Sequence, residues 1–222
     1  MKSVFVCFMG IDGSGKTSHA KTLVKSLKQK GIRCRYVWGR WTPRLLKPLE
    51  FILKKFYFRS KKIYTSDYDE YTMQKRRIIA NRPSALIWQY LVLLDYFFQF
   101  LWKIRLPLLL RKTIICDRYI YDTLVDLMVN SNLSGEETEG MFTSRFLSLF
   151  PKPDLILLLD VPEEVACIRK GDLELINYLA DRRKIYLKLN HVLQGLVLDN
   201  SQNFFEIQVA IMNAVKSAMI NE

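Results

Sequence analysis

The chain has 222 residues and a mass of 26.2 kDa, and half of its residues are hydrophobic and a quarter charged. This length allows a full hydrophobic core, and the composition excludes a disordered or fibrous protein. The 34 basic residues outnumber the 22 acidic ones, which leaves a formal net charge of +12. That charge favours polyanionic partners (a nucleotide, a nucleic acid or an anionic membrane) without choosing among them.

The cysteines and histidines form no metal-binding pattern. The four cysteines are far apart in the sequence: Cys7, Cys34, Cys116 and Cys167. We interpret them as reduced thiols that pack in the core of an intracellular protein. With two histidines in the chain, a histidine-built zinc or iron site is not expected. The apolar run at 4–9 is too short for a signal peptide, so the sequence predicts a cytoplasmic location.

Short β-rich runs alternate with longer segments of helical periodicity. The predicted strands lie at 4–9, 34–38, 114–116, 155–159 and 196–198. Helices are predicted between them, from 16–30 to a last helix at 204–219, where Asn203 and Glu206 resemble a capping box. Strands joined by helices require right-handed crossovers. The sequence therefore predicts an α/β fold, a doubly wound five-stranded parallel sheet flanked by helices, in a single domain over 1–222.

Two stretches between the second and third strands have unusual compositions. Residues 40–62 carry eight basic residues and one acidic one, interleaved with apolar and aromatic side chains. A solvated basic face is the interpretation we favour, and contact with an anion or a membrane surface is the alternative. Residues 86–110 are apolar but include Asp95, which is costly to bury in lipid. We expect a central helix that is covered on every face, partly by a second copy in a homodimer.

The sequence GIDGSGKT at 10–17 fits the pattern G-x-x-x-x-G-K-[ST] at every position. It follows a predicted strand and opens a predicted helix, which is the context that gives the pattern meaning. Glycines let successive backbone N–H groups point at one anion, and the helix N-terminus adds its positive dipole end. Lys16 would neutralise the β- and γ-phosphates of ATP, and the Thr17 hydroxyl is a suitable Mg²⁺ ligand. The predicted ATP site consists of Gly10, Ile11, Asp12, Gly13, Ser14, Gly15, Lys16, Thr17 and Ser18.

A second motif, Asp117-Arg118-Tyr119, follows the predicted third strand. Ligands of open parallel sheets bind in the crevice at the carboxyl ends of the strands. Asp117 would there face the ATP-binding loop and hold Mg²⁺ through water. The planar guanidinium of Arg118 suits a second phosphate, although an exposed Asp-Arg pair that caps a helix is the alternative. Two anion sites in one crevice predict phosphoryl transfer between two nucleotides.

Four segments together resemble the thymidylate kinase family of P-loop nucleoside monophosphate kinases. In chain order these segments are GIDGSGKT, IICDRYIYDT, LLLDVPEEVACIRKG with the following ADRRKIYLKL, and LVLDNSQNFFEIQVAI. The resemblance covers nearly the whole chain. It implies the P-loop NTPase fold with a short lid near 169–183, the use of ATP and Mg²⁺, and the phosphorylation of dTMP to dTDP.

The resemblance also implies roles for individual residues. Asp12 would contact the 3′-hydroxyl of the acceptor sugar, Arg118 would bind the acceptor phosphate, and Arg40 would be a further phosphate ligand. Asp199 and Asn200 would lie beside the adenine ring of ATP. The implied substrate site comprises Asp12, Arg40, Asp95, Tyr96, Arg118 and Tyr119. The implied catalytic residues are Lys16, Arg118, Arg169 and Arg183.

The sequence also departs from the family pattern. Val92 and Tyr96 stand where the family places an aromatic residue and an arginine that recognise thymine. The lid is short and lacks an expected arginine, which leaves Arg169, Arg182 and Arg183 as candidates to neutralise charge in the transition state. We favour Arg183 with Arg169, and a solvated helix face is the alternative for Arg182 and Lys184.

Three functional hypotheses follow. The first is an ATP-dependent kinase of dTMP, which needs no general base because the acceptor oxygen is already anionic. The second is a P-loop kinase whose acceptor is another nucleotide, a nucleoside or a small molecule. The third is a non-catalytic nucleotide-binding module that docks on polyanions through 40–62. The intact Lys16, Thr17, Asp117 and Arg118 favour an enzyme over the third hypothesis, and we expect nucleotide substrates without a stable nucleic-acid partner.

Overall fold

The computed structural model describes residues 2–40, 42, 47, 91, 94–131 and 147–220. Its strands are β1 (Phe5–Met9), β2 (Cys34–Trp38), β3 (Thr113–Asp117), β4 (Leu155–Asp160) and β5 (Leu196–Asp199). They form one sheet in the order β2-β3-β1-β4-β5, and every neighbouring pair is parallel. The predicted five-stranded parallel sheet is therefore confirmed, with strand ends shifted by one residue at most.

Helices connect the strands. The α-helices with both ends among the described residues are α1 (Lys16–Gln29), α2 (Leu106–Leu109), α3 (Ile120–Ser131), α4 (Glu163–Lys170), α5 (Ile176–Leu193) and α6 (Phe204–Ile220). A π-helical segment at Leu101–Arg105 precedes α2, and short 3₁₀ helices lie at Leu147–Leu149 and Leu173–Leu175. Phe205 donates its backbone N–H to Asn203 Oδ1 at 2.9 Å, so Asn203 caps α6 as predicted.

The central strand β1 is buried along its whole length and separates two hydrophobic cores. Phe5, Cys7 and Met9 point into one core, which α3 and α5 cover. Val6 and Phe8 point into the other, which α1 and α6 cover. Each buried side chain of this size stabilises the fold by about 1.5–3 kcal/mol. The continuous apolar run of β1 thus reflects a strand with helices on both faces.

The cysteines are free thiols, as the sequence predicts. Cys7, Cys116 and Cys167 are buried, and Cys34 is half-buried. Burial raises the pKa of the Cys7 and Cys116 thiols well above the ordinary value, and the neighbouring carboxylates of Asp117 and Asp122 add to this effect. Packing is therefore sufficient to account for both.

The apolar stretch at 86–110 is described at 91 and from 94 onwards, and it is helical there up to Leu109. Asp95, Tyr96 and Gln99 are buried. The Tyr96 hydroxyl donates to the carbonyl of Gly39 at 2.7 Å, and Gln99 Nε2 donates to the carbonyl of Thr42 at 2.7 Å. This helix therefore packs on the loop that follows β2. Within the described residues, no helix is both long and apolar enough to cross a membrane.

The opposite face of this helix is exposed in the single chain. Phe98 and Trp102 are 51% and 70% exposed, and Leu94 lies beside them. The basic stretch 40–62 lies outside the described residues except at 40, 42 and 47, so its solvated and membrane-facing interpretations stay predictions. The homodimer also stays a prediction, and the exposed helix face identifies where it can be tested.

We expect Trp102→Glu to dissociate the predicted homodimer, because it would bury a charge in an apolar interface. Sedimentation equilibrium at micromolar concentration should give about twice the chain mass for the wild type and one chain mass for the variant. Ile220→Glu, which changes an equally exposed residue at the end of α6, is the control and should remain dimeric. A monomeric wild type would contradict the prediction.

Candidate active site

The candidate site lies where the carboxyl ends of β1 and β3 meet, since Phe8 pairs with Asp117 across the two strands. The loop between β1 and α1 turns through Gly10, Gly13 and Gly15, whose φ angles are 138°, 87° and 80°. These conformations favour glycine. A Cβ on Gly13 would also lie 2.7 Å from the carbonyl oxygen of Ala166. The GIDGSGKT motif therefore forms the strand–loop–helix connection that the sequence predicts.

Lys16 is folded back onto this loop. It is 3% exposed, and its Nζ donates to the carbonyl of Ile11 at 2.5 Å and to Ser14 Oγ at 3.1 Å. Burial, together with the nearby charge of Arg118, lowers the pKa of Lys16 to about 7, although the surrounding aspartates oppose the shift. An anion that bound in the loop would favour the protonated, charged form of this lysine.

The two predicted metal ligands are in contact. Thr17 Oγ1 donates to Asp117 Oδ2 at 2.6 Å, and the Tyr36 hydroxyl donates to the same oxygen at 2.8 Å. Asp117 is fully buried, and its Oδ1 has no hydrogen-bond partner within the described part of the chain. A buried carboxylate oxygen without a partner, beside a hydroxyl, is a donor set that suits Mg²⁺. These residues therefore fit the predicted metal.

Arg118 adopts a left-handed backbone conformation with φ of 69° directly after β3. The backbone of Gly39 packs closely against this turn. A Cβ at Gly39 would lie 2.1 Å from the Arg118 carbonyl oxygen. The Arg118 guanidinium forms an ion pair with Asp12 and donates from Nη1 to Asp122 Oδ1 at 3.3 Å. Burial would raise the pKa of Asp12, but Arg118 outweighs it and holds that pKa well below its usual range. The predicted phosphate ligand and the predicted sugar ligand are thus paired.

Asp122 belongs to this site, although the sequence analysis did not identify it. It is fully buried and accepts hydrogen bonds from the Tyr119 backbone N–H at 3.0 Å and from the Tyr186 hydroxyl at 2.6 Å. Burial raises the pKa of Asp122, and the charges of Arg118 and Lys16 oppose the shift. Asp122 lies in the first turn of α3, and an acidic residue so soon after the Asp-Arg pair is a signal that could have revealed it.

The predicted substrate residues divide into two groups. Arg40 Nη2 lies 3.3 Å from Asp126 Oδ2, in an ion pair that extends the charged cluster around Arg118. Tyr119, in contrast, has its side chain in the hydrophobic core, where its hydroxyl donates to the carbonyl of Pro151 at 3.0 Å. The Tyr96 hydroxyl is likewise bound to the backbone of Gly39.

The arginines of the predicted lid occupy different environments. Arg183 binds Asp160 through two 2.8 Å hydrogen bonds and Glu163 through one of 3.0 Å. Arg169 Nη2 donates to the carbonyl of Asn200 at 2.9 Å. Arg182, by comparison, is 2% exposed and forms an ion pair with Asp126. The solvated-face interpretation is therefore wrong for Arg182, because α5 turns this residue inward toward the charged cluster. It is confirmed for Lys184, which is exposed.

Asn200, predicted to lie beside adenine, supports the GIDGSGKT loop. It is buried, its Nδ2 donates to the carbonyl of Ser14 at 2.8 Å, and its Oδ1 lies 2.9 Å from His19 Nε2. The His19 ring stacks on Phe204 with a centroid separation of 4.2 Å. Asp199 is exposed and accepts hydrogen bonds from the following serine. The loop after β5 is thus connected directly to the loop after β1.

Known proteins resemble this chain along nearly its whole length. It is 27% identical to a protein named "Probable thymidylate kinase" from Pyrococcus abyssi, and the match covers 99% of each chain. A "Probable thymidylate kinase" from Pyrococcus horikoshii is also 27% identical over 99% of each chain. The "Thymidylate kinase" of Ligilactobacillus salivarius is 29% identical over 93% of this chain and 94% of its own. No protein-family model matches the chain.

The Asp12–Arg118 ion pair predicts a pH-dependent contribution to stability. Since the folded pKa of Asp12 lies below its ordinary value, this contribution is present above about pH 4 and is lost as the pH falls through the folded pKa. We expect Asp12→Asn to lower the free energy of unfolding by about 1–3 kcal/mol at pH 7, and by progressively less below pH 4.

Urea denaturation at a series of pH values measures this difference. Asp172→Asn, at an exposed carboxylate, is the control and should change stability by less than about 0.5 kcal/mol. A difference between wild type and Asp12→Asn that stayed constant from pH 7 to pH 3 would contradict the assignment.

Proposed function

We propose that this chain is an ATP-dependent nucleoside monophosphate kinase of the thymidylate kinase family, with dTMP as the favoured acceptor. One observation carries the proposal: the Lys16–Thr17 end of the ATP-binding loop and the Asp117–Arg118 end of β3 meet at one sheet edge, with Thr17 bound to Asp117 at 2.6 Å. A nucleotide triphosphate site and a second anion site therefore share one crevice. Full-length similarity to three proteins named thymidylate kinase supports the same conclusion.

The residues of the crevice have complementary roles in this reaction. Lys16 and the loop N–H groups would bind the donor phosphates, and Thr17 and Asp117 would hold Mg²⁺. Bound MgATP supplies the phosphoryl group, and the metal neutralises part of its charge. Arg118 would orient the acceptor phosphate and Asp12 the sugar hydroxyl. Since the attacking oxygen is already anionic, positioning and electrostatic stabilisation are sufficient and no general base is needed.

A second candidate function is a P-loop kinase for a different nucleotide acceptor. Tyr96 stands where the family places a base-binding arginine, and its hydroxyl is engaged by the Gly39 carbonyl at 2.7 Å. Tyr96 is also buried. It therefore does not offer the hydrogen-bond donors that an arginine would present to thymine. For this reason the acceptor should be tested with nucleotides that carry different bases.

The experiment is a coupled ADP-release assay with a panel of mononucleotides and nucleosides. We expect the highest kcat/KM with dTMP, and we expect Lys16→Ala to lower kcat at least about 100-fold because charge stabilisation is lost. Thermal unfolding of Lys16→Ala checks that the variant is folded. A strong preference for an acceptor other than dTMP or dUMP would favour the second candidate, and an active Lys16→Ala variant would contradict the role of the loop.

Arg118→Ala should raise the KM for the acceptor and lower kcat, each about 10- to 100-fold, because a charge-assisted hydrogen bond to phosphate is removed. The KM for ATP should change little. Steady-state kinetics with each substrate varied in turn separates the two effects. Arg35→Ala, at an exposed position on β2, is the matched control, and unchanged acceptor kinetics in Arg118→Ala would remove Arg118 from the site.

A further inference from the structure

Arg182 is a buried cation whose hydrogen bonds are incomplete. It is 2% exposed, and its Nη1 bonds with Asp126 Oδ1 and with the Tyr178 hydroxyl, the latter at 2.7 Å. Among the residues that the structure describes, its buried Nε and Nη2 have no hydrogen-bond partner. Leaving two nitrogens of a charged side chain, with three N–H groups between them, unsatisfied costs free energy. A buried group of this kind calls for an explanation, and an absent ligand is one.

The two unpartnered atoms, Nε and Nη2, form the edge through which an arginine donates two parallel hydrogen bonds to an anion. In an arginine, Nε–H and one N–H of Nη2 point in the same direction, so they match two oxygens of a carboxylate or a phosphate. The adjacent Arg183 uses this same edge, because its Nε and Nη2 bind the two oxygens of Asp160 at 2.8 Å each. The Nε–Nη2 edge of Arg182 is therefore unpartnered, whereas the same edge of Arg183 binds a carboxylate.

The Arg182 guanidinium is also held in a fixed orientation. Its central carbon lies 5.0 Å from the ring centroid of Tyr178 and 6.0 Å from that of Tyr186, and Asp126 holds the Nη1 side. A cation fixed in this way loses little conformational freedom when a ligand binds. The unpartnered edge is therefore preorganised for recognition.

Arg182 lies next to the proposed acceptor site. The Tyr186 hydroxyl donates to Asp122 Oδ1 at 2.6 Å, and Arg118 Nη1 lies 3.3 Å from the same oxygen. Asp126 bridges Arg182 and Arg40 from the other side. One tyrosine and two aspartates thus join Arg182 to both predicted phosphate ligands.

We propose that Arg182 binds the phosphate group of the acceptor through its Nε–Nη2 edge and so helps to select phosphorylated over unphosphorylated acceptors. This inference rests on the proposed function, since it places the acceptor in the same crevice. Arg182 is then a binding residue in addition to Arg118, while Asp126 is a positioning residue that holds its guanidinium.

The test measures acceptor affinity by calorimetry with the donor site saturated by Mg²⁺ and a non-hydrolysable ATP analogue. Arg182→Lys keeps the positive charge but removes the bidentate Nε–Nη2 edge. We expect it to weaken binding of the preferred nucleoside monophosphate about 10- to 100-fold while leaving the affinity for the corresponding nucleoside unchanged. Arg35→Lys makes the same chemical change at an exposed position and should alter neither affinity.

Several outcomes would overturn the proposal. Equal affinity of wild type and Arg182→Lys for the monophosphate removes Arg182 from the site. An equal loss of nucleoside affinity assigns the edge to the sugar or the base. Retained affinity for the ATP analogue shows that the variant is folded, and Arg182→Gln is measured in the same way if Arg182→Lys fails that check.

A second arm keeps this inference separate from the proposed function. With the ATP analogue bound, inorganic phosphate should raise the unfolding temperature of the wild type by more than that of Arg182→Lys at the same phosphate concentration, whether or not any mononucleotide is an acceptor. Acetate is the comparison anion, and stabilisation by acetate equal to that by phosphate overturns the phosphate assignment. A wild type that binds phosphate through Arg182 but no mononucleotide overturns the proposed function alone.

Discussion

The parallel pairing of β1 with β3 is the constraint on which the candidate site depends. It aligns Phe8 with Asp117, so the loop after one strand and the acidic end of the other meet at the same edge of the sheet. A 2.6 Å hydrogen bond from Thr17 to Asp117 joins the two segments. The proposed Mg²⁺ site takes one oxygen donor from each of these segments, so it depends on their meeting. The two buried cores fix the strands and thereby the position of these donors.

Around that edge, cationic and anionic side chains alternate from Arg118, through Asp122 and Tyr186, towards Arg182 and Asp126. Such a cluster is stable only while its members remain paired, because an isolated buried charge is costly. The pairing of Arg118 with Asp12 holds both groups in ionised form. The charges of the candidate site are preorganised in this sense, which is what the proposed binding of an anion requires.

Much of the fold and part of the site could be predicted from the sequence. Apolar runs such as 4–9, the glycine pattern from Gly10 to Gly15 and the capping residue Asn203 act over short distances, so local chemistry reveals them. The buried position of Arg182 could not be predicted in this way. The charge run at 181–184 is compatible with a solvated face, and only the packing of α5 against α3 places Arg182 beside Asp126.

The amino-acid sequence by itself determined the parallel α/β architecture and the glycine-rich loop between β1 and α1, because hydrophobic periodicity and glycine conformational freedom are local properties. The tertiary structure alone decided which distant side chains share a charge network. Asp122, the partners of the three lid arginines, and the link from Asn200 to the Ser14 carbonyl all depend on contacts between segments far apart in the chain. Such contacts follow from the packing of whole helices and strands, and they cannot be predicted from a short sequence motif.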